Sequence, residues 1–235
     1  MSTPAHPVAK PTRRTDLLWS CLRWFGITVA ALWLLAALTL VAFRFVDPPT
    51  TAVHIERRLQ AWVHGKPYHA QFHFVPLSQI SPNLQHAVIA AEDARFYLHH
   101  GFDWDAMEIA AEGDLDGKRL RGGSTLTQQL VNNLFFGTGR SIPRKAAETT
   151  RVPIAELALG KQRILELYLN LVEWGPGNYG ADAASHAWDK TSPPTLSRDQ
   201  AAELAAILPL PLKRRPEHMA HYTAIIQERM GQMGW

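Results

Sequence analysis

A single cysteine, Cys21, occurs in 235 residues. One thiol excludes an intramolecular disulfide framework and a multi-cysteine zinc site, and it carries no information about redox compartment. The 11 histidines form no His-Glu-x-x-His pair, and His218-x-x-His221 is only half of a metal-binding pattern. No glycine is followed by Lys-Ser or Lys-Thr, so there is no P-loop. Internal repeats and low-complexity tracts are absent. Charge is sparse: 24 basic against 21 acidic residues leave a net +3. Apolar residues make up 46% of the chain, enough to bury a core and too many for a disordered protein. The length allows one or two domains.

What is present begins with an uncharged run over residues 24–43. As a helix it spans roughly 30 Å, the thickness of a bilayer core. Trp19, Trp24 and Phe45 flank it, where aromatic rings favour the interface. Lys10, Arg13, Arg14 and Arg23 precede it against Asp16, whereas Arg44 and then Asp47 follow. That positive excess predicts a cytoplasmic N-terminus, with everything after the run beyond an inner membrane. A cleaved signal peptide has a shorter apolar region and a small-residue cleavage site. The run here ends VAFRFVDPP, so a retained single-pass anchor is expected.

The rest reads as mostly α. Residues 1–23 form a basic N-terminus, 24–43 the anchor, 44–80 a juxtamembrane segment and 81–235 one domain. An amphipathic helix is predicted over 50–65 and a short extended segment over 71–75. Ser81-Pro82 is a cap and first-turn pair for a helix running on through Tyr97. Asp103 caps a second helix, and a basic linker leads to a third that ends at Gly137. Leu126, Leu130 and Leu134 recur every four residues and form its buried stripe, leaving Gln128, Gln129, Asn132 and Asn133 off it. A helix over 143–159 is expected to kink or break at Pro153. Further helices cover 161–175, 181–188, a segment opened by the capping box Ser197-x-x-Gln200, and 216–233. The total is nine or ten helices with little strand.

Four features carry chemistry. Glu92 and Asp93 end a helix of small apolar residues; neighbours on a helix diverge by about 100°, so only one faces a given pocket. A carboxylate in a cleft removes a proton from a hydroxyl, and a solvated acidic pair is the plain alternative. Gly122-Gly123-Ser124-Thr125 opens the third helix with free backbone N–H groups, which suit an anion, although an ordinary capped helix has the same look. Residues 118–151 hold Lys118, Arg119, Arg121, Arg140, Arg144, Lys145 and Arg151 against Glu148 alone. Such a block suggests a polyanionic partner; beside a membrane anchor this means lipid headgroups or lipid-linked phosphates, not nucleic acid. Glu148 lies within helical reach of Arg144 and Lys145. Tyr168 and Asn170 read as packing and capping residues.

Taken together these residues resemble glycosyltransferase family 51, the peptidoglycan glycosyltransferases, and most closely its monofunctional biosynthetic members. Glu92, Asp93, Phe96, His99 and Gly101 match E-D-x-x-F-x-x-H-x-G. Gly122 through Gln129 match G-x-S-T-hydrophobic-T/S-Q-Q, and Arg144, Lys145 and Glu148 match R-K-x-x-E. Glu156, Lys161, Ile164, Leu165, Glu166, Tyr168, Leu169 and Asn170 match a later pattern. The resemblance covers residues 80–212 in order and implies a lysozyme-like fold that polymerises lipid II onto a growing glycan chain. It implies Glu92 as general base for an inverting transfer, with Glu148 as a second catalytic carboxylate. Asp93, Phe96, Ser124, Thr125, Gln128, Gln129, Asn132, Asn133, Arg140, Arg144 and Lys145 would bind substrate. A glycosidase would instead need two carboxyl groups at a set separation. Membrane lipids and cell-division or cell-wall synthesis proteins are the partners to expect, with no organic cofactor. The length fits an anchor and one such domain without a transpeptidase.

Three positions depart from the family. Asn132 replaces a usual Lys, a shortfall that a divalent cation (Mg or Mn) or a neighbouring arginine would make good. On this reading Asn132→Lys should raise the rate, and a weakened, scaffold-only homologue is the alternative function. Gly160 replaces a usual Ser, and Pro153 interrupts a helix that is normally continuous.

Overall fold

A computed structural model describes residues 13–115, 123–139 and 141–235, with the side chains of residues 13–16 and 111–115 left aside. Helix α1 (Arg13–Ala42) contains the apolar run: over Leu17–Ala42 its mean hydropathy is 2.3, and it is long and apolar enough to cross a membrane. A second unit extends from Leu40 to Trp235.

That unit opens with α2 (Ala52–Val63), capped by the Thr51 hydroxyl accepting from the His54 N–H at 3.1 Å. Strand β1 (Gln71–Phe72) follows, then α3 (Pro82–Glu92), α4 (Trp104–Leu115), α5 (Leu126–Phe135) and α6 (Ile142–Leu171). Strands β2 (Glu173–Gly175) and β3 (Asn178–Tyr179) precede α7 (Gly180–Ala184), α8 (Arg198–Ile207) and α9 (Ala220–Gln232). The small sheet has the order β1-β3-β2, with β1 parallel and β2 antiparallel to β3. α5 packs along α6, and α3 packs against α8 and α9. The Leu126, Leu130 and Leu134 stripe is buried as its spacing required, and the capping box on α8 forms through Ser197 and Gln200.

Segment 44–80 is built into the domain rather than preceding it. β1 pairs with β3, Arg57 bonds Glu173 at 3.0 Å, and Val75 and Asn170 exchange two hydrogen bonds at 2.8 and 2.9 Å. The extended segment expected over 71–75 contains β1, and these distant partners fix its place.

Two helix boundaries differ from expectation. α3 stops at Glu92, not Tyr97, because the Asp93 carboxylate is drawn into tertiary bonds with the Leu126 N–H (3.0 Å) and His99 (2.9 Å). α6 runs on through Pro153 and breaks at Gly160 instead (φ 73°, ψ 165°). Pro153 is exposed, and so is Thr149, whose carbonyl a proline at this position frees. Water can satisfy that carbonyl, which removes much of the cost of an internal proline. Gly160 adopts a conformation essentially reserved for glycine.

Candidate active site

Helix ends converge on one cleft. α3 delivers Glu92 from its last residue, and α5 starts beside it. Thr125 accepts from the Gln128 N–H (3.2 Å) while the Gln128 side chain accepts from the Thr125 N–H (2.8 Å), a reciprocal cap. Beyond the cap, Ser124, Gln129 and Asn132 line an open hollow of about 610 Å³ together with Arg144, Lys145 and Glu148 from the first turns of α6. Ser124 also borders a tighter hollow of about 130 Å³, bounded by Glu92, Arg95, Asp103, Asp105 and Ile109. A separate hollow of about 550 Å³ between α2 and the end of α5 is walled by Ile55, Leu59, Val63, Phe135 and Phe136 and offers little polar chemistry.

A directed hydrogen-bond chain reaches Glu92 from the core. The Tyr168 hydroxyl donates to Gln129 Oε1 at 2.9 Å, and Gln129 Nε2 donates to Glu92 Oε2 at 2.9 Å. Burial pushes the Tyr168 phenol well above its usual range, and the Glu92 and Asp93 carboxylates push it further. The hydroxyl therefore stays protonated and acts as donor. That fixes the amide with its oxygen toward Tyr168 and its N–H toward Glu92. A donor aimed at a carboxylate favours the ionised form.

The cations are held differently from each other. Arg144 Nη1 donates to Asn132 Oδ1 at 2.6 Å and to the Gly137 carbonyl at 2.9 Å. Both acceptors are neutral, so they orient the guanidinium without cancelling its charge. Among the described residues no carboxylate pairs with Arg144. Lys145 Nζ lies 2.5 Å from Glu148 Oε1, and Glu148 is only 3% exposed. Glu148 thus compensates Lys145, and the lysine is what makes a buried carboxylate tolerable.

The structure brings Ser124, Gln128, Gln129, Asn132, Arg144, Lys145 and Glu148 to one hollow and ties Glu92 to it through Gln129. Gln128 is almost fully buried, with its side-chain oxygen held by the cap. Asp93 and Thr125 border the tight hollow, but both Asp93 oxygens and the Thr125 hydroxyl bond inward, the latter to the Gly101 carbonyl at 2.7 Å. Phe96 is wholly buried, with the Lys161 ammonium 4.5 Å from its ring centroid. Phe96 therefore builds the scaffold, which corrects its reading as a substrate contact, whereas Asp93 and Thr125 border the hollow with their polar atoms engaged by the protein. Asn133 borders neither hollow, and its Oδ1 is buried. Arg140, like Lys118, Arg119 and Arg121, lies outside the described residues.

Sequence reasoning missed Tyr168 as part of the site. A tyrosine among the leucines of LYLN carries a hydroxyl into a core, where it needs a partner; that was the available signal. Nothing local announced Arg95, Asp103 and Asp105 as cleft residues.

A divalent cation was the one cofactor expected. Among the described residues Asp93, His99 and Asp103 bring potential ligand atoms within 4.8 Å of one another. Both Asp93 oxygens already accept from protein donors. Asp103 Oδ1 caps α4 through the Ala106 N–H (3.1 Å) and lies 3.6 Å from Arg95. A hard cation requires free oxygen ligands and no adjoining guanidinium, so this cluster does not fit one.

Comparison with known proteins bears on the whole chain. A family described as Transglycosylase matches residues 58–233. A protein named biosynthetic peptidoglycan transglycosylase from Pseudomonas putida KT2440 is 43% identical over 211 residues, covering 87% of this chain and 89% of its own. A protein of the same name from Pseudomonas syringae pv. syringae B728a is 42% identical over 224 residues, covering 93% and 94%. Another from Pseudomonas fluorescens SBW25 is 42% identical over 216 residues, covering 90% and 87%.

Proposed function

The chain belongs to the transglycosylase family and polymerises lipid II into peptidoglycan glycan; within that activity, we propose that Glu92 is the general base. The growing strand, carried on undecaprenyl pyrophosphate, occupies the cation-lined hollow, and lipid II enters the tight hollow as acceptor. Glu92 removes the proton from the acceptor 4-hydroxyl. That oxygen forms a bond to C1 of the donor sugar from the face opposite the leaving group, so the configuration inverts. The C1–O bond to pyrophosphate breaks and undecaprenyl pyrophosphate leaves. Arg144, with its charge uncancelled, and Lys145 stabilise the developing negative charge where it appears. Glu148 acts on Lys145, as a positioning residue. The apolar helix anchors the chain in the inner membrane, N-terminus inside, with the domain on the periplasmic side.

The observation that carries this reading is the donor chain Tyr168–Gln129–Glu92, which holds one carboxylate in place at the tight hollow and ties it to the cation-lined one. The oriented Arg144 argues against a scaffold-only homologue, because the cation that a departing pyrophosphate needs is in place. The test uses the full-length protein in detergent with labelled lipid II. Glu92→Gln should lower polymer formation by about 10²–10⁴-fold, the usual loss of a general base. Retention of wild-type activity in a well-folded Glu92→Gln protein would remove Glu92 from the chemistry.

A further inference from the structure

The cleft continues past Glu92. The tight hollow shares Arg95, Asp103 and Asp105 with a further one of about 330 Å³, whose apolar wall is Leu98, Phe102 and Trp104. Trp104 is 67% exposed, although an indole is among the largest apolar surfaces a protein can bury. It is not loose. It is the first residue of α4, and the Asp103 carboxylate caps that helix through the Ala106 N–H. Phe102 stacks on it, with ring centroids 5.3 Å apart and an interplanar angle of 26°. Phe102 is itself packed against the core. The indole is thus braced, with most of its surface left open to solvent. Arg95 pairs with Asp105 at the boundary of the two hollows and lies 3.6 Å from Asp103.

A flat aromatic surface bordered by carboxylates and a guanidinium is the chemistry of a sugar ring. The apolar C–H face of a pyranose covers the indole, and its hydroxyl and N-acetyl groups meet the charged rim. We propose that Phe102 and Trp104 form a sugar subsite that holds an N-acetylhexosamine ring next to the one presented to Glu92. The proposal rests on the reading of the tight hollow as the acceptor side. The ring belongs either to the lipid-linked acceptor or to a finished, lipid-free strand, and both present the same chemistry.

The experiment has two arms on full-length protein in detergent micelles, with Trp104→Ala and Trp104→Phe. The first measures binding of a lipid-free GlcNAc–MurNAc tetrasaccharide to the Glu92→Gln protein by saturation-transfer NMR. This readout needs no catalysis, so it stands whether or not Glu92 is the base. Trp104→Ala should weaken binding about tenfold, a loss of the size expected for one aromatic contact, and Trp104→Phe should restore most of it. The second arm measures lipid II polymerisation in an otherwise wild-type background. A raised KM at unchanged kcat identifies the ring as the acceptor's; an unchanged KM with shorter product strands identifies the finished strand. Unaltered tetrasaccharide binding, KM and strand length in Trp104→Ala overturn the subsite. Because Trp104 is exposed, the variants should melt with the parent, and a thermal scan confirms it.

Discussion

The two hollows that share Ser124 are built from opposite electrostatic materials. On one side Arg144 and Lys145 face a single carboxylate, Glu148. On the other, Glu92, Asp93, Asp103 and Asp105 face, among the described residues, one guanidinium, Arg95. The way each charge is held differs too. Arg144 is oriented by neutral oxygens and keeps its charge, whereas Asp93 and Asp103 are engaged by backbone N–H groups and by His99 or Arg95. On the reading proposed above, the pyrophosphate of the donor lies on the Arg144 side. Glu92, proposed above as the base, borders the acidic hollow and is tied to the basic one through Gln129. The lesson is that the orientation of a charge matters as much as the number of charges.

The largest effect that would break this contrast is expected at Arg144. Arg144→Ala should lower kcat by about 10²–10³-fold, the scale of losing a preorganised transition-state donor. Arg144→Lys should recover only part, because Nη1 alone reaches both Asn132 and Gly137 and an ammonium has no second terminal nitrogen left to meet the phosphate. Steady-state kinetics on lipid II decide this, and a loss confined to KM would assign Arg144 to ground-state binding.

Next in size is Gln129→Glu, which extends the acidic character across the boundary. It removes the donor to Glu92 and places a second carboxylate beside it. Like charges this close raise the pKa of one of them. The base must be deprotonated to act, so the acid limb of the kcat/KM profile should move to higher pH by about one unit or more. A limb that stays in place would detach Gln129 from the base.

Asn132→Lys tests charge number against orientation directly. Counting cations predicts a faster enzyme. The geometry predicts the reverse, because lysine cannot accept from Arg144 and repels it. The rate should fall about three- to tenfold, the net cost of one orienting hydrogen bond. A rate above wild type would show that cation number governs this hollow.

The smallest effect on chemistry is expected at Gly160. Gly160→Ala should cost about 1–3 kcal/mol of stability, because alanine is strained at this backbone conformation. A Cβ there would have no neighbour within 4 Å, so the cost is conformational rather than steric. Activity per folded molecule should be nearly unchanged, as read by thermal melting beside specific activity.

Much of this molecule was legible in the chain. The apolar run, the Leu126–Leu130–Leu134 stripe and the Ser197 cap rest on local periodicity and local hydrogen bonding, and each appears where its pattern required. What failed was tertiary. α3 ends at Glu92 because Leu126, a distant residue, supplies a donor to Asp93. No window around residue 93 contains that information. Pro153 was expected to break α6, and exposure decided otherwise. In the cleft, motif order located Glu92, Gln129, Arg144 and Glu148, but it could not separate residues that face the hollow from those that support it. Phe96 and Thr125 belong to the same motifs and are buried. Asn132 was read as a missing charge, yet its oxygen is the acceptor that aims Arg144.

The break in α6 has a mechanical consequence. An unbroken helix of that length would be a rod of about 45 Å, with the cations near one end and Tyr168 near the other. Any tilt at the cationic end would swing the tyrosine like the far arm of a lever. Gly160 puts a joint in the rod. The cation-bearing end takes its direction from its own buried residues, Glu148, Val152 and Ala155, and the end that steers Gln129 takes its direction from the core, so neither dictates the angle of the other.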